Sequence, residues 1–149
     1  MEMICGRKDL IGLEVMDHDM VGASGYDHRL TAALDKFCVN YIAKNTNANT
    51  ITHFIPERAK NLDSCIASMR EAFPQSKIST VKVAIVSVIG TNMRIPGFLF
   101  RAAKALSDAE INVLALDQTM RQVNIQFIID RADFEKAQQV LHKEFVEKD

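Results

Sequence analysis

Apolar residues along this chain follow two spacings, one typical of strands and one typical of helices. A run rich in Leu, Ile and Val at residues 10–16 predicts a strand, and a nearly unbroken apolar run at residues 83–89 is typical of a central strand of a sheet. After each run, apolar residues recur at the i, i+3, i+4, i+7 spacing of one helix face. These faces are formed by Leu30, Ala33, Leu34 and Phe37, and by Phe98, Ala102, Ala105, Leu106 and Ala109. The pattern therefore predicts a strand followed by a helix at two places.

The two halves of the chain repeat this pattern at one spacing. Residues 72 positions apart match through two helices and the strand between them. The matched pairs include Gly25 and Gly97, Leu34 and Leu106, Asn40 and Asn112, Met69 and Leu141, and Phe73 and Phe145. Because a chance likeness would not keep one spacing across three elements, the sequence predicts an internal duplication.

The remaining elements complete the same unit in each copy. Strands are predicted at 40–44 and 50–55 in the first copy, and at 112–116 and 124–129 in the second. A second helix follows, with Asn61 and Asp133 as predicted N-caps, and residues 77–81 add a fourth strand to the first copy. The order β-α-β-β-α-β predicts an α+β, ferredoxin-like fold with helices on one face of an antiparallel sheet.

The second copy has no fourth strand within its own half of the sequence. Since an unpaired sheet edge invites unwanted pairing, we expect residues 2–6 to fill that place, with residues 3–5 pairing with the second copy's sheet. The predicted domains are therefore 8–81, and 82–149 together with 2–6.

Composition and charge narrow the classes of function. The chain has 149 residues, 48% hydrophobic and 25% charged, with a formal net charge of −1, values typical of a folded domain. There is no basic stripe for nucleic acid, no apolar run of about eighteen residues for a membrane, and no signal-peptide pattern. A cytoplasmic protein is therefore expected. Cys5, Cys38 and Cys65 are odd in number and widely spaced, which favours reduced thiols over disulfides or a metal site.

No combination of residues typical of an enzyme is present. There is no Ser/His/Asp set, no carboxylate pair placed for acid–base work and no Walker-type loop. Asp17 and Asp19 flank His18, but their place in a loop favours solvation or capping of that loop. RNA binding is disfavoured because the central strands lack stacking aromatics.

The loop after the first strand, residues 17–27, is the candidate binding segment. Gly22 and Gly25 allow close approach of the backbone to a ligand, and the helix beginning near Tyr26 offers free N–H groups suited to a carboxylate. Residues 44–49, across from it, carry polar side chains that could bind an amino group. An amino acid has both groups, although ordinary turn chemistry accounts for the same residue types.

The motifs of the second copy resemble the last ACT domain of aspartate kinases. They are residues 83–90 (Val-Ala-Ile-Val-Ser-Val-Ile-Gly), 96–97 (Pro-Gly), 102–106 (Ala-Ala-Lys-Ala-Leu), 111–113 (Ile-Asn-Val), and 133–142, which begin Asp-Phe-Glu-Lys-Ala. The first copy, with residues 19–22, 25–27 and 46–51, resembles the first ACT domain of the same proteins. The resemblance covers residues 3 to 146, and it implies two tandem ACT domains.

The resemblance implies a regulatory role. Aspartate kinases phosphorylate the side-chain carboxylate of aspartate with ATP, and end-product amino acids bind between ACT domains of two subunits and favour an inactive state. The implied partners are an amino-acid effector (lysine or threonine), a second copy in a homodimer, and the catalytic domain. No cofactor is implied for this chain, since ATP and Mg belong to the catalytic domain, and the chain alone is not expected to be an enzyme.

The resemblance also carries over a set of effector-binding positions. They are Met20, Val21, Gly22, Gly25, Tyr26 and Asp27 in the loop, and Tyr41, Asn45, Thr46 and Asn47 on the facing wall. Lysine-sensitive members have acidic residues where this chain has Tyr41 and Asn47, which counts against lysine and favours threonine or a weakened site. The corresponding loop of the second copy, residues 91–97, is expected to be structural. The first copy is therefore expected to sense the effector and the second to dock.

Two further hypotheses belong to other classes. One is a free-standing double-ACT regulator that acts on a partner protein. The other is an independent enzyme on a ferredoxin-like scaffold, which would require turnover by the purified chain.

Overall fold

The computed structural model describes residues 2–147. Within them lie six strands and four α-helices: β1 Glu2–Met16, α1 Tyr26–Lys36, β2 Ala43–Thr46, β3 Thr50–Pro56, α2 Leu62–Ala72, β4 Lys77–Gly90, α3 Phe98–Asp108, β5 Val113–Gln118, β6 Asn124–Asp130 and α4 Phe134–Phe145. Short 3-10 turns occupy His18–Met20 and Arg131–Asp133. None of the helices in this part of the chain is long and apolar enough to cross a bilayer.

The chain divides into two compact units. The first unit is Asp9–Lys82, and the second unit joins the described residues up to Lys8 with those from Val83 onward. The division falls within β1 and β4, so each of these strands contributes residues to both units.

The first unit has the strand order β2-β3-β1-β4. Antiparallel pairing places Leu13 of β1 opposite His53 of β3, and Lys44 of β2 opposite His53 from the other side. Helices α1 and α2 pack on one face of these strands and close a core. Its buried residues are Leu13, Val15, Met20, Leu30, Leu34, Val39, Ile51, Ile55, Leu62, Cys65, Ile66, Met69 and Phe73.

The second unit has the strand order β1-β4-β6-β5. Val86 of β4 lies opposite Phe127 of β6, and Leu116 of β5 lies opposite Phe127 on its other side. The core under α3 and α4 contains Ala84, Val86, Val88, Met93, Phe98, Ala102, Leu106, Ile111, Ile125, Phe127, Ile129, Ala137, Leu141 and Phe145. Both units therefore have the ferredoxin-like strand order and confirm the fold expected from the sequence.

The N-terminal half of β1 supplies the edge strand of the second unit. A Cβ built on Gly6 would lie 2.6 Å from the carbonyl oxygen of Ile85 on β4 and 2.7 Å from the ring of Phe134. Nearby, the Lys8 ammonium donates to the Glu135 carboxylate on α4 at 2.7 Å. Only a glycine allows the backbone this approach. Gly6 therefore lets the N-terminal half of β1 take the place of the fourth strand that the second copy lacks.

The duplication is visible in the backbone at both ends of the first helix. Gly25 and Gly97 precede α1 and α3 with φ of 90° and 85°. Cys38 and Glu110 follow the same helices with φ of 55° and 58°. The next amides, of Val39 and Ile111, donate to carbonyls five residues earlier at 2.9 and 3.0 Å. This is the Schellman arrangement that closes a helix C-terminus, and it occurs at matched positions in both copies.

Three predictions of local structure were wrong. Strand β2 begins at Ala43 rather than residue 40, because Cys38 and Val39 are still closing the end of α1. Residues 77–81 and 83–89 form one strand, β4. The third is the capping bond: Asn61 and Asp133 occupy the predicted N-cap positions, but neither side chain makes a capping hydrogen bond in the described part of the chain. Asn61 adopts a left-handed conformation and donates to the Phe37 carbonyl at 3.2 Å. Asp133 ends a 3-10 turn that runs into α4. The Asp130 carboxylate caps this turn by accepting from the Ala132 amide.

Candidate functional site

Asp17 organises the loop between β1 and α1. This residue follows β1 directly, and its side chain is 7% exposed. The carboxylate accepts from the Asp19 amide at 2.9 Å, from the Ser76 hydroxyl at 2.6 Å and from the Tyr26 hydroxyl at 3.4 Å. The capping role that the sequence favoured for an aspartate of this loop is confirmed by the bond to Asp19. One buried carboxylate therefore connects the loop to the start of α1 and to Ser76 through three hydrogen bonds.

Hydrogen bonds and burial shift the pKa values of Asp17 and Tyr26. The Ser76 hydroxyl, and after it the Asp19 amide, hold the pKa of Asp17 below its usual value, although burial acts in the opposite direction. Burial, and after it the negative charge of Asp17, raises the pKa of Tyr26. At neutral pH the pair is an ionised carboxylate beside a protonated phenol, so the loop keeps one arrangement.

Aromatic packing fixes the first turn of α1. The Tyr26 ring stacks on Phe73 with 5.9 Å between centroids. The Arg29 guanidinium lies 4.7 Å from the Tyr26 ring centroid and 4.8 Å from that of Phe73. Such contacts stabilise a cation over aromatic faces by about 0.5–1 kcal/mol each at exposed sites. The start of α1 is thus anchored to the end of α2.

An ion pair joins α1 to β2. The Lys44 ammonium donates to both carboxylate oxygens of Asp27 at 2.8 Å. At the end of β1, the Asp17 amide donates to the Asn49 carbonyl at 2.9 Å. These two contacts bring the loop after β1 and the turn after β2 to the same end of the first unit.

The ten predicted effector-binding residues differ in how far they are exposed to solvent. Val21 and Tyr41 are 61% and 42% exposed, and Thr46 and Asn47 are also exposed. Gly22 and Gly25 have positive φ with open space where a Cβ would lie. By contrast the Met20 side chain is 6% exposed and packs in the core. Asp27 is bound to Lys44, and Tyr26 and Asn45 are half-buried.

His53 belongs to this region and escaped the sequence reasoning. It lies on β3 between the inward-facing residues Ile51 and Ile55, and it is 1% exposed. Neither ring nitrogen has a hydrogen-bond partner among the described residues. Burial, and after it the Lys44 charge, lowers the pKa of His53 to about 4. The signal that could have found it is a polar residue at an inward-facing position of a strand.

Two clefts are lined by residues of the first unit. One of about 360 Å³ is lined by Met16, Asp17, His18, Asp19, Gln75 and Lys77. The other, of about 190 Å³, is lined by Thr31, Leu34, Asp35, Cys38, Val39, Asn40 and Tyr41. Among residues 2–147, no group of three His, Cys, Asp or Glu side chains is placed to hold a metal ion. The arrangement is suited to holding a small polar molecule.

A family model and known protein sequences match this chain. Residues 86–145 match the family model of the ACT domain. The aspartate kinase Ask_Ect of Stutzerimonas stutzeri is 33% identical over 146 residues, which cover 98% of this chain and 31% of that protein. The chain spans less than a third of the length of this relative and of the aspartokinase of Schizosaccharomyces pombe, of which it covers 27%.

Solved structures share the fold. Aspartate kinase of Clostridium acetobutylicum matches with a TM-score of 0.88 at 20% identity, over 95% of this chain and 34% of that one. The regulatory subunit of aspartate kinase from Thermus flavus matches with a TM-score of 0.83 at 12% identity, over 95% of this chain and 96% of that one. These findings confirm the resemblance stated from the sequence.

Proposed function

We propose that this chain, which contains an ACT domain and is related to the aspartate kinases over nearly its whole length, is the allosteric part of such a kinase. Its effector is an end-product amino acid, lysine or threonine. The observation that carries the proposal is the meeting of the β1–α1 loop with β2 through the Asp27–Lys44 pair. The Clostridium relative is described as an allosteric enzyme, which supports the same role.

The backbone at the start of α1 supplies groups for a carboxylate. Gly25 is the N-cap, and no side chain caps this helix end. The first amides of a helix are free to donate and lie at the positive end of its dipole, so they favour an anion. A bound amino acid would place its carboxylate here and its side chain toward Tyr41, Thr46 and Asn47.

The charges around the loop favour an effector with a neutral side chain. Segment 17–27 carries three carboxylates, of which Asp17 is bound by Ser76 and Asp27 by Lys44. An ammonium side chain would have to displace one of these partners or rely on Asp19 alone. Threonine meets no such cost, so it is the preferred effector of the two.

Effector binding would act by stabilising one of two states of the kinase. A typical allosteric coupling of about 1–3 kcal/mol requires only that the effector bind one state more tightly. The parts needed for phosphorylation of aspartate, including the sites for ATP and Mg, would belong to a catalytic domain. We further propose that the effector-binding units associate as a homodimer.

A thermal-shift screen with threonine, lysine, methionine and S-adenosylmethionine tests the proposal. An effector at a hundred times its Kd should stabilise the chain by about 2.7 kcal/mol. Val21→Glu introduces a negative charge into the loop of the first unit, where Val21 is 61% exposed. Ile95→Glu makes the same change at an exposed position of the corresponding loop in the second unit, where Ile95 is 56% exposed.

We expect threonine to raise the melting temperature of the unchanged chain and of Ile95→Glu, and Val21→Glu to lose the response. A response lost in Ile95→Glu but kept in Val21→Glu would place the effector in the second unit. If none of the four compounds stabilises the chain at millimolar concentration, the proposal of an amino-acid effector is wrong.

A second candidate is a separate regulatory subunit that acts on a kinase chain. The observation that favours it is the Thermus flavus regulatory subunit, of which this chain covers 96%. Size-exclusion chromatography of this chain mixed with an aspartate kinase catalytic chain separates the two candidates. Co-elution with a separate kinase chain supports the subunit, and elution apart favours a role that requires covalent linkage.

A further inference from the structure

His53 is a buried polar group without a partner. Its side chain is 1% exposed, and both ring nitrogens lack a hydrogen-bond partner among the described residues. Leaving a buried donor or acceptor unpaired costs about 1–3 kcal/mol. Such groups in folded proteins usually have a reason, for example a water or ligand that completes them.

The His53 ring is neutral in its surroundings, so one of its nitrogens can donate a hydrogen bond and the other can accept one. On β1 it faces Leu13, on β2 it faces Lys44, and the Asp27 carboxylate of α1 acts on it through that ion pair. A neutral imidazole offers one N–H donor and one acceptor nitrogen. A hydroxyl group can donate a hydrogen bond to the acceptor nitrogen or accept one from the N–H, so it can pair with one nitrogen of this ring.

Tyr41, one of the candidate effector-binding residues, packs against His53. The two rings meet edge to face with 4.9 Å between centroids. Tyr41 precedes β2 and is 42% exposed. The cleft of about 190 Å³ that Tyr41 lines offers room for roughly six water molecules. Displacement of the Tyr41 ring would uncover the part of the imidazole that this ring now contacts.

We propose that His53 is the specificity-determining residue of the candidate effector site, where it hydrogen-bonds the side-chain hydroxyl of a small amino acid that displaces the Tyr41 ring. This inference rests on the proposed function, since it names the chemistry by which that site selects its ligand. An apolar isostere would also reach the ring, but it would leave both nitrogens unpaired. The site therefore selects for a hydroxyl rather than for side-chain volume.

L-threonine and L-valine test the inference because they differ by a hydroxyl in place of a methyl. Isothermal titration at pH 7.5 measures the affinity of the whole chain for each, with L-lysine as a third ligand. The variants are His53→Leu, which removes the nitrogens, and His28→Gln, which removes an exposed histidine of α1. We expect the unchanged chain and His28→Gln to bind threonine at least about tenfold more tightly than valine.

In His53→Leu we expect the ratio of the two affinities to fall to about one. If that variant does not fold, nitrogen NMR of the unchanged chain gives the same answer. Threonine should shift both ring-nitrogen signals of His53, and valine should leave them close to those of the free protein.

The remaining outcomes separate the two proposals. Equal binding of threonine and valine, a preference that survives in His53→Leu, or binding of lysine alone contradicts the role of His53 and leaves an amino-acid sensor in place. Failure of all three amino acids to bind contradicts the proposed function and this inference with it.

Discussion

The Lys44 ammonium donates to both carboxylate oxygens of Asp27, each at 2.8 Å. The pair connects the first turn of the helix that follows the candidate loop to the strand that forms the facing wall. Since the two side chains are 26% and 53% exposed, the pair contributes little to the free energy of unfolding, on the order of 0–1 kcal/mol. Its main consequence is that Asp27 has no free charge for a ligand.

Lys44→Met should therefore change ligand preference more than stability. Removing the ammonium leaves Asp27 free to pair with a cationic ligand, so the affinity for lysine should rise relative to that for threonine. Calorimetric titration of both amino acids measures the ratio. Lys104→Met, which breaks the comparable Lys104–Asp108 pair of the second unit, is the control and should leave the ratio unchanged.

His53 should make the chain sensitive to mild acid. Its pKa in the folded protein is about 4, against 6.5 for the free side chain. Between these values the unfolded chain binds a proton that the folded chain excludes, so stability is complete above about pH 6.5 and falls as the pH decreases. The shift corresponds to about 3 kcal/mol by pH 4.

Denaturant unfolding at several pH values between 7 and 4 measures this loss. Other groups also titrate in the range, so the comparison with His53→Leu is decisive. That variant should lose about 3 kcal/mol less stability between pH 7 and pH 4 than the unchanged chain. Parallel curves for the two proteins would show that the imidazole takes up its proton without cost.

Ser76→Ala should raise the pKa of Asp17 toward its usual value. The Ser76 hydroxyl is the largest cause of the lowered pKa. A carboxyl with a lowered pKa stabilises the fold above its unfolded pKa, and this contribution is lost as the pH falls through its folded pKa. Carbon-detected NMR of the Asp17 carboxyl should show an earlier protonation, at higher pH, in the variant. Ser24→Ala, an exposed serine of the same loop, should leave the Asp17 midpoint in place.

Gly6→Ala should destabilise the second unit. The added Cβ would lie 2.6 Å from the Ile85 carbonyl oxygen, so the backbone must shift, at a cost of about 1–3 kcal/mol. Gly12→Ala is the matched control on the same strand, because its Cβ would meet the Phe54 ring at an ordinary 3.5 Å. Urea unfolding should separate the two variants, and equal midpoints would contradict the close approach of β1 to β4.

Cys38→Gly and Glu110→Gly should both stabilise the chain. Each residue sits just after a helix with φ near 55°, where a side chain costs about 1–2 kcal/mol relative to glycine. Part of that gain is offset by the greater freedom of glycine in the unfolded chain. The melting temperature should rise in both variants by similar amounts, since the two positions are equivalent in the repeat. A rise in one and a fall in the other would contradict that equivalence.

The sequence predicted the repeat and most elements because apolar spacing reports directly on which face of a helix or strand is buried. Helix α1 begins at Tyr26 and β3 at Thr50, as the spacing indicated. The start of β2 was missed because it depends on a hydrogen bond from Val39 to Leu34. No pattern of side chains encodes that bond, since the residue with positive φ is a cysteine rather than a glycine.

The effector site stays a prediction, but the structure shows how its candidate residues lie relative to one another. Spacing and the resemblance placed the loop of residues 17–27 and the wall at Tyr41 and 45–47, and the Asp27–Lys44 pair joins these regions. Met20, one of the predicted effector-binding positions, has its side chain in the core. Its role depends on the 3-10 turn His18–Met20, whose direction is set by the Asp17 carboxylate.

The sequence by itself determined the duplicated unit, its ferredoxin-like fold and the loop that could sense an amino acid, because these follow from local periodicity and from motifs. Only the tertiary structure decided which polar groups remain available. Asp17 and Asp27 are bound by Ser76 and Lys44, residues 59 and 17 positions away, whereas the buried ring nitrogens of His53 have no hydrogen-bond partner within residues 2–147. Partnerships across such distances depend on how strands and helices pack, so they cannot be read from the order of residues.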